Sequence, residues 1–138
     1  MRVFLNANKL PNFKRSVVTI GSYDGVHLGH QAILRKVVEL ANDMNGESTL
    51  ITFYPHPRIF LQGKNADIKL LNTRREKIQL LEKIGLDNIV IVPFDKSFSE
   101  QSAQTYLEDF LVKKFNPEVL IVGYDHRFGK DRDGNYQF

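Results

Sequence analysis

Four short runs of apolar and β-branched residues, at 17–20, 49–53, 89–92 and 119–122, set the tightest limits on how this chain can fold. Each is nearly continuous in such residues instead of alternating with polar ones, the pattern of strands covered on both faces, as in a parallel sheet. Between the runs the apolar period becomes helical. Ile33, Leu34, Val37, Val38, Ala41 and Met44 predict a first helix over 28–44, stopped by Asn45-Gly46. Ile78, Leu81 and Ile84 share one face of a second helix over 73–84, with Asn72 as N-cap and Gly85 as terminator. After Ser102 as cap, Ala103, Tyr106, Leu107, Phe110 and Leu111 fall at i, i+3, i+4, i+7 and i+8, which predicts a third α-helix ahead of Pro117. Strand, helix, strand, long connection, helix, strand, helix, strand is the order of a doubly wound α/β fold with a parallel sheet. Ligands in such sheets lie beyond the carboxyl ends of the strands, so the residues after Ile20, Phe53, Val92 and Val122 are expected to line one site. The irregular connection over 55–71 is long enough to be a binding loop.

The chain's 138 residues suit one domain, and its 42% apolar and 25% charged content is ordinary for a soluble globular protein. With no cysteine, disulfides, thiolate metal sites and a cysteine nucleophile are excluded. The first sixteen residues scatter Arg2, Lys9, Lys14 and Arg15 among polar residues and hold no signal-like apolar run, and no stretch reaches membrane-spanning length. A cytoplasmic location with no membrane partner is the default expectation. The net charge of +3 is spread along the chain, so a nucleic-acid partner is not expected. Oligomeric state leaves no mark in the sequence.

Directly after the first strand come Gly21, Ser22, Tyr23, Asp24, Gly25, Val26, His27, Leu28, Gly29 and His30, and then a helix. Three glycines at a strand-to-helix turn bring free backbone N–H groups and the positive end of a helix dipole to one point, where anions bind. Neither G-x-x-x-x-G-K-[ST] nor G-x-G-x-x-G is present, so the P-loop and the dinucleotide fingerprint do not apply. His27 and His30, three apart at the helix start, are candidate donors to a phosphate instead. Nucleotidyl transfer needs donors aimed at the charge that builds on the α-phosphate and the departing pyrophosphate, and little covalent help. Two alternatives stay open for the residues alone: a surface pair without function, or a metal pair with Asp24 as third ligand, which no further histidine or cysteine nearby completes.

Two further segments fall where the sheet top is expected. Thr52-Phe53-Tyr54-Pro55-His56-Pro57 ends the second strand, and two prolines stiffen the backbone around His56; by residue type alone, Phe53 reads equally as a core aromatic and His56 as a turn residue. Gly123-Tyr124-Asp125-His126-Arg127-Phe128-Gly129-Lys130 follows the fourth strand and mixes charge, aromatic and glycine. That mix suits a ligand with a flat ring and phosphates: Phe128 to stack, Asp125 to accept a hydrogen bond, Arg127 or Lys130 to neutralise phosphate. Its bland alternative is a polar turn with one buried Phe. Asp131-x-Asp133-Gly134-Asn135 has its glycine misplaced for a calcium loop and no glutamate downstream, so a turn is expected there.

Taken together, these segments resemble the nucleotidyltransferase superfamily. His27-x-Gly29-His30 is similar to its H-x-G-H signature, and Gly21-x-x-Asp24-Gly25-Val26-His27-x-Gly29-His30-Gln31 resembles the FAD synthetase (FMN adenylyltransferase) branch, found in bacterial bifunctional riboflavin kinase/FAD synthetases. The 52–57 segment resembles that branch's T-F-x-P-H-P motif and 123–129 its G-x-[DN]-F-x-F-G loop, with His126 where an aromatic is usual; Leu71 to Lys77 resembles its helix start. The resemblance covers roughly 17–135 and implies a Rossmann-like nucleotidyltransferase fold. It further implies that Gly21, Ser22, Tyr23, Asp24, Gly25, His27, Gly29 and His30 hold ATP, with His27 and His30 catalytic. On the same ground Phe53, His56, Pro57, Asp125, Arg127 and Phe128 hold the flavin, with Mg²⁺ arriving on ATP and no protein metal site.

The implied reaction moves AMP from MgATP to FMN, giving FAD and pyrophosphate. The family's later Ser/Thr-rich motif ending in arginine, and its riboflavin kinase domain, do not occur within residues 1–138, so the chain is expected to be a truncated adenylyltransferase module. Other readings are an adenylyltransferase for a different phosphorylated acceptor, or a silent flavin- or nucleotide-binding module.

Overall fold

The computed structural model describes residues 1–21, 28–54, 74–122, 127–128 and 134–135. Five parallel strands form the central sheet: β1 (Arg2–Phe4), β2 (Val17–Ile20), β3 (Ser48–Tyr54), β4 (Asn88–Pro93) and β5 (Val119–Ile121). Their spatial order is β1-β4-β3-β2-β5. Helix α1 (Leu28–Asp43) links β2 to β3, α2 (Arg74–Ile84) precedes β4, and the short α3 (Lys96–Ser99) follows it. Helix α4 (Ala103–Thr105) then runs without a break into a π-helix, Tyr106–Phe115, ahead of β5. A separate antiparallel pair, β6 (Arg127–Phe128) and β7 (Gly134–Asn135), aligns Arg127 with Asn135 and Phe128 with Gly134.

The four strands expected from the apolar runs are present within a residue at each end, and the fold is the expected α/β with helices on both faces of a parallel sheet. Side chains alternate across that sheet with period two. Val17, Leu50, Ile89 and Ile91 point to one face and pack with Leu34, Val37, Ala41 and Leu81 of α1 and α2. Val18, Ile20, Ile51, Val90 and Val92 point to the other and pack with Tyr106, Phe110, Leu111 and Phe115. Burial on both sides is why these runs carry almost no polar residues.

Three features differ from expectation. Strand β1 lies in a stretch whose charges gave no strand signal; it is held to β4 in the register Arg2 to Asn88, with Arg2 N–H donating to the Asp87 carbonyl at 2.9 Å. Arg2 secures it further, donating to Asn88 Oδ1 at 3.0 Å, pairing with Glu47 and lying 5.7 Å from the ring centroids of both Phe4 and Phe13. Second, the third helix is α-helical only over Ala103–Thr105. A continued α-helix would carry its apolar stripe from Phe110 and Leu111 on to Lys114. The wider turn instead leaves Lys114 exposed and buries Phe115 to 2%. Third, Gly134 and Asn135 pair as a strand and are not part of a turn. Asn72 and the 55–71 connection lie outside the described residues.

Candidate active site

Chain order fixes where the sheet divides. From β2 the chain passes through α1 to β3 on one side, then β4, and returns through α4 and the π-helix to β5 on the other side of β2. The gap above the carboxyl ends of β2 and β5 is therefore the topological switch point, where ligands of doubly wound sheets sit.

The strands stop at two heights there. Ile20 ends β2 level with Ile51, and Thr19 is level with Ile121, the last residue of β5. Strand β3 continues through Thr52, Phe53 and Tyr54, paired with Ile91, Val92 and Pro93 of β4. Three further residues raise that side of the sheet by about 10 Å. The result is a low floor over β2 and β5 beside a wall made by β3 and β4.

Gly21 leaves the floor, its N–H donating to the Ile51 carbonyl at 3.0 Å. Seven residues on, the sixteen-residue helix α1 opens with Leu28, Gly29 and His30 in its first turn. Gly29 and His30 thus lie among the residues whose backbone N–H groups have no partner inside a helix. Ser22, Tyr23, Asp24, Gly25 and His27 fall outside the described residues.

Phe53 stands on the wall, half-buried, on the face opposite α1. Its ring meets Phe94 edge-on at 5.6 Å and Phe98 at 5.3 Å with a 51° tilt. Phe98 in turn meets Phe110 edge-on at 5.0 Å and Tyr106 at 5.9 Å. Phe94 and Phe98 are absent from the sequence-predicted set, although Phe94 directly follows β4, where the sheet top was expected to supply ligand contacts. Tyr106 is 3% exposed, and this burial pushes its phenol above the ordinary tyrosine range, so the ring stays neutral. His56, Pro57 and Asp125 lie outside the described residues, whereas Arg127 and Phe128 form β6.

A cleft of about 440 Å³ opens at the far side of this aromatic group, over the carboxyl end of β4, with Asn6, Asn8, Asp95, Phe98, Gln101 and Lys114 in its wall. It lies away from the switch point and was not anticipated from the sequence. Among the described residues no three histidines or carboxylates gather as metal ligands, and no helix is long and apolar enough to cross a membrane.

The model of the FAD synthetase family matches residues 9–138, nearly the whole chain. The chain belongs to the FAD synthetase family. Among curated relatives it is similar to a bifunctional riboflavin kinase/FMN adenylyltransferase of Haemophilus influenzae, 38% identical over 131 residues, covering 95% of this chain and 42% of that protein. The corresponding protein of Buchnera aphidicola subsp. Schizaphis graminum is 40% identical, with 87% of this chain and 38% of its own length covered. A putative one from Geobacillus thermodenitrificans is 36% identical and covered over 69%. The chain thus spans about two-fifths of the first two. A Streptococcus pneumoniae structure described as a macrolide-efflux protein superposes with a TM-score of 0.82 at 25% identity, over 95% of this chain and 43% of that one. This likeness accords with the nucleotidyltransferase-like α/β fold.

Proposed function

We propose that this member of the FAD synthetase family transfers AMP from ATP to FMN, giving FAD and pyrophosphate, and that residues 1–138 are its adenylyl-transfer module. The observation that carries this reading is the position of the 21–30 segment. It spans from the carboxyl end of β2, at the switch point, to the first turn of a sixteen-residue helix. Phosphates are stabilised at such a helix start by backbone N–H groups and dipole together. Family membership and the names of the relatives support FMN as acceptor.

In this reading an oxygen of the FMN phosphate attacks the ATP α-phosphorus in line, the bond to the bridging oxygen breaks, and pyrophosphate leaves with that electron pair. His27 and His30 donate to the phosphate charge that grows in the transition state, with Gly21, Ser22, Tyr23, Asp24, Gly25 and Gly29 lining the triphosphate. Phe53, His56, Pro57, Asp125, Arg127 and Phe128 receive the flavin. Mg²⁺, when bound with ATP, would neutralise part of the charge on its phosphates.

The test is direct. The full-length protein, incubated with ATP, Mg²⁺ and FMN, is expected to form FAD and pyrophosphate in equal amounts. Pyrophosphate release with a different phosphorylated acceptor, and no FAD from FMN, would overturn the acceptor assignment; no release with any acceptor would overturn adenylyl transfer.

A further inference from the structure

We infer that Phe98, fixed by the Asp95 cap of α3, is a positioning residue that sets the Phe53 ring for the flat ring of the acceptor. The inference rests on the proposed role of Phe53 and extends it to a residue that need not touch the substrate.

Phe53 is half-buried next to the last residue of β3, and its ring takes its setting from the side chains packed against it. Its described ring neighbours are Phe94 and Phe98, and Phe98 is the nearer, at 5.3 Å. Phe98 also touches Tyr106 and Phe110, both 3% exposed. It therefore links the immobile core to the site's rim. Edge-on and tilted ring pairs have preferred geometries, so the tilt of one ring constrains the next.

Phe98 is itself not enclosed, because its other side borders the 440 Å³ cleft. To these ring contacts the short helix α3 adds a hold on its backbone. Asp95 has extended backbone and its Oδ1 accepts from the Phe98 N–H at 2.8 Å. The Ser99 N–H donates to the Asp95 carbonyl at 2.9 Å, and Ser99 Oγ to the Lys96 carbonyl at 2.9 Å. A four-residue helix has too few internal bonds to persist without its cap. Asp95 thus fixes the backbone from which Phe98 projects.

The experiment is a double-substitution cycle on the full-length protein, reading FAD formation. Phe53→Leu, Phe98→Leu and the pair are compared for the KM of FMN, the KM of ATP and kcat. Phe98→Leu is expected to raise the KM of FMN by about three- to tenfold, the range set by one aromatic pair, while kcat and the KM of ATP stay within about twofold. In the Phe53→Leu background the same change is expected to add nothing, since its route to the substrate is gone. An unchanged KM for FMN in Phe98→Leu, or an equal rise in both backgrounds, overturns the inference while leaving Phe53 as a flavin contact. An unchanged KM in Phe53→Leu overturns the flavin role of Phe53 and the inference with it. If Phe98→Leu unfolds the protein, Asp95→Ala serves instead: Asp95 is exposed, and its loss is expected to raise the KM of FMN alone. An Asp95→Ala protein with an unchanged KM for FMN counts against the inference in the same way.

Discussion

Tyr106 shows how one buried side chain ties stability to pH. Its phenol is held above the unfolded value of 10.0 by burial, so above about pH 10 the unfolded chain releases a proton that the folded one keeps. The contribution is flat below that value, and stability falls above it by at most about 1.4 kcal/mol per pH unit. Urea midpoints of the wild type are expected to drop more steeply between pH 9 and 11 than those of Tyr106→Phe; parallel curves would refute it. At the other end of the proposed site, His27→Ala or His30→Ala is expected to lower kcat for FAD formation by roughly a hundredfold or more with little change in unfolding midpoint, if each supplies one donor to the transition state. The strand-to-helix junction that carries the proposed phosphate half was legible, because β2 and α1 form where the apolar runs predict them. Phe94 and Phe98 were not, since a phenylalanine at the rim of a site and one in the core read alike until the sheet gives each ring a neighbour.

Among the elements, the helix stops were the easiest to anticipate. Gly85 ends α2 with φ +100°, and Asn45-Gly46 follows α1. Gly46 is held for a second reason that no local pattern reveals: a Cβ there would collide with the Arg15 carbonyl oxygen and lie 2.7 Å from the Arg15 Cβ. Gly46→Ala is therefore expected to destabilise by about 2 kcal/mol or more, read from denaturant midpoints. The π-helix escaped anticipation because α- and π-spacing agree over Tyr106, Phe110 and Leu111; only Phe115, one residue out of α phase, separates them. Strand β1 escaped because it is a three-residue edge strand, outlined by Arg2, Glu47 and Asn88, whose contacts join positions far apart in the chain.

On the scale of the whole molecule, the sheet has a carboxyl end, where the site is proposed, and an opposite, fastening end. At the fastening end Asn88, fully buried, accepts from Arg2 and donates to Thr49 Oγ1 at 3.2 Å, while the Asp87 carboxylate accepts from the Ser48 N–H at 2.9 Å. Asn88→Ala strands those partners and is expected to lower stability by about 1–3 kcal/mol. Because β4 places the residue five positions from Pro93, roughly 16 Å away, the KM values and kcat for FAD formation are expected to stay at wild-type level. The wall built by β3 and β4 carries a consequence for how such a site can diversify. One residue inserted between Ile51 and Phe53 would turn the ring to the α1 side, whereas two would keep its side and lift it by about 7 Å. The depth of the proposed acceptor site is thus quantised: a ring on the same face moves in two-residue steps.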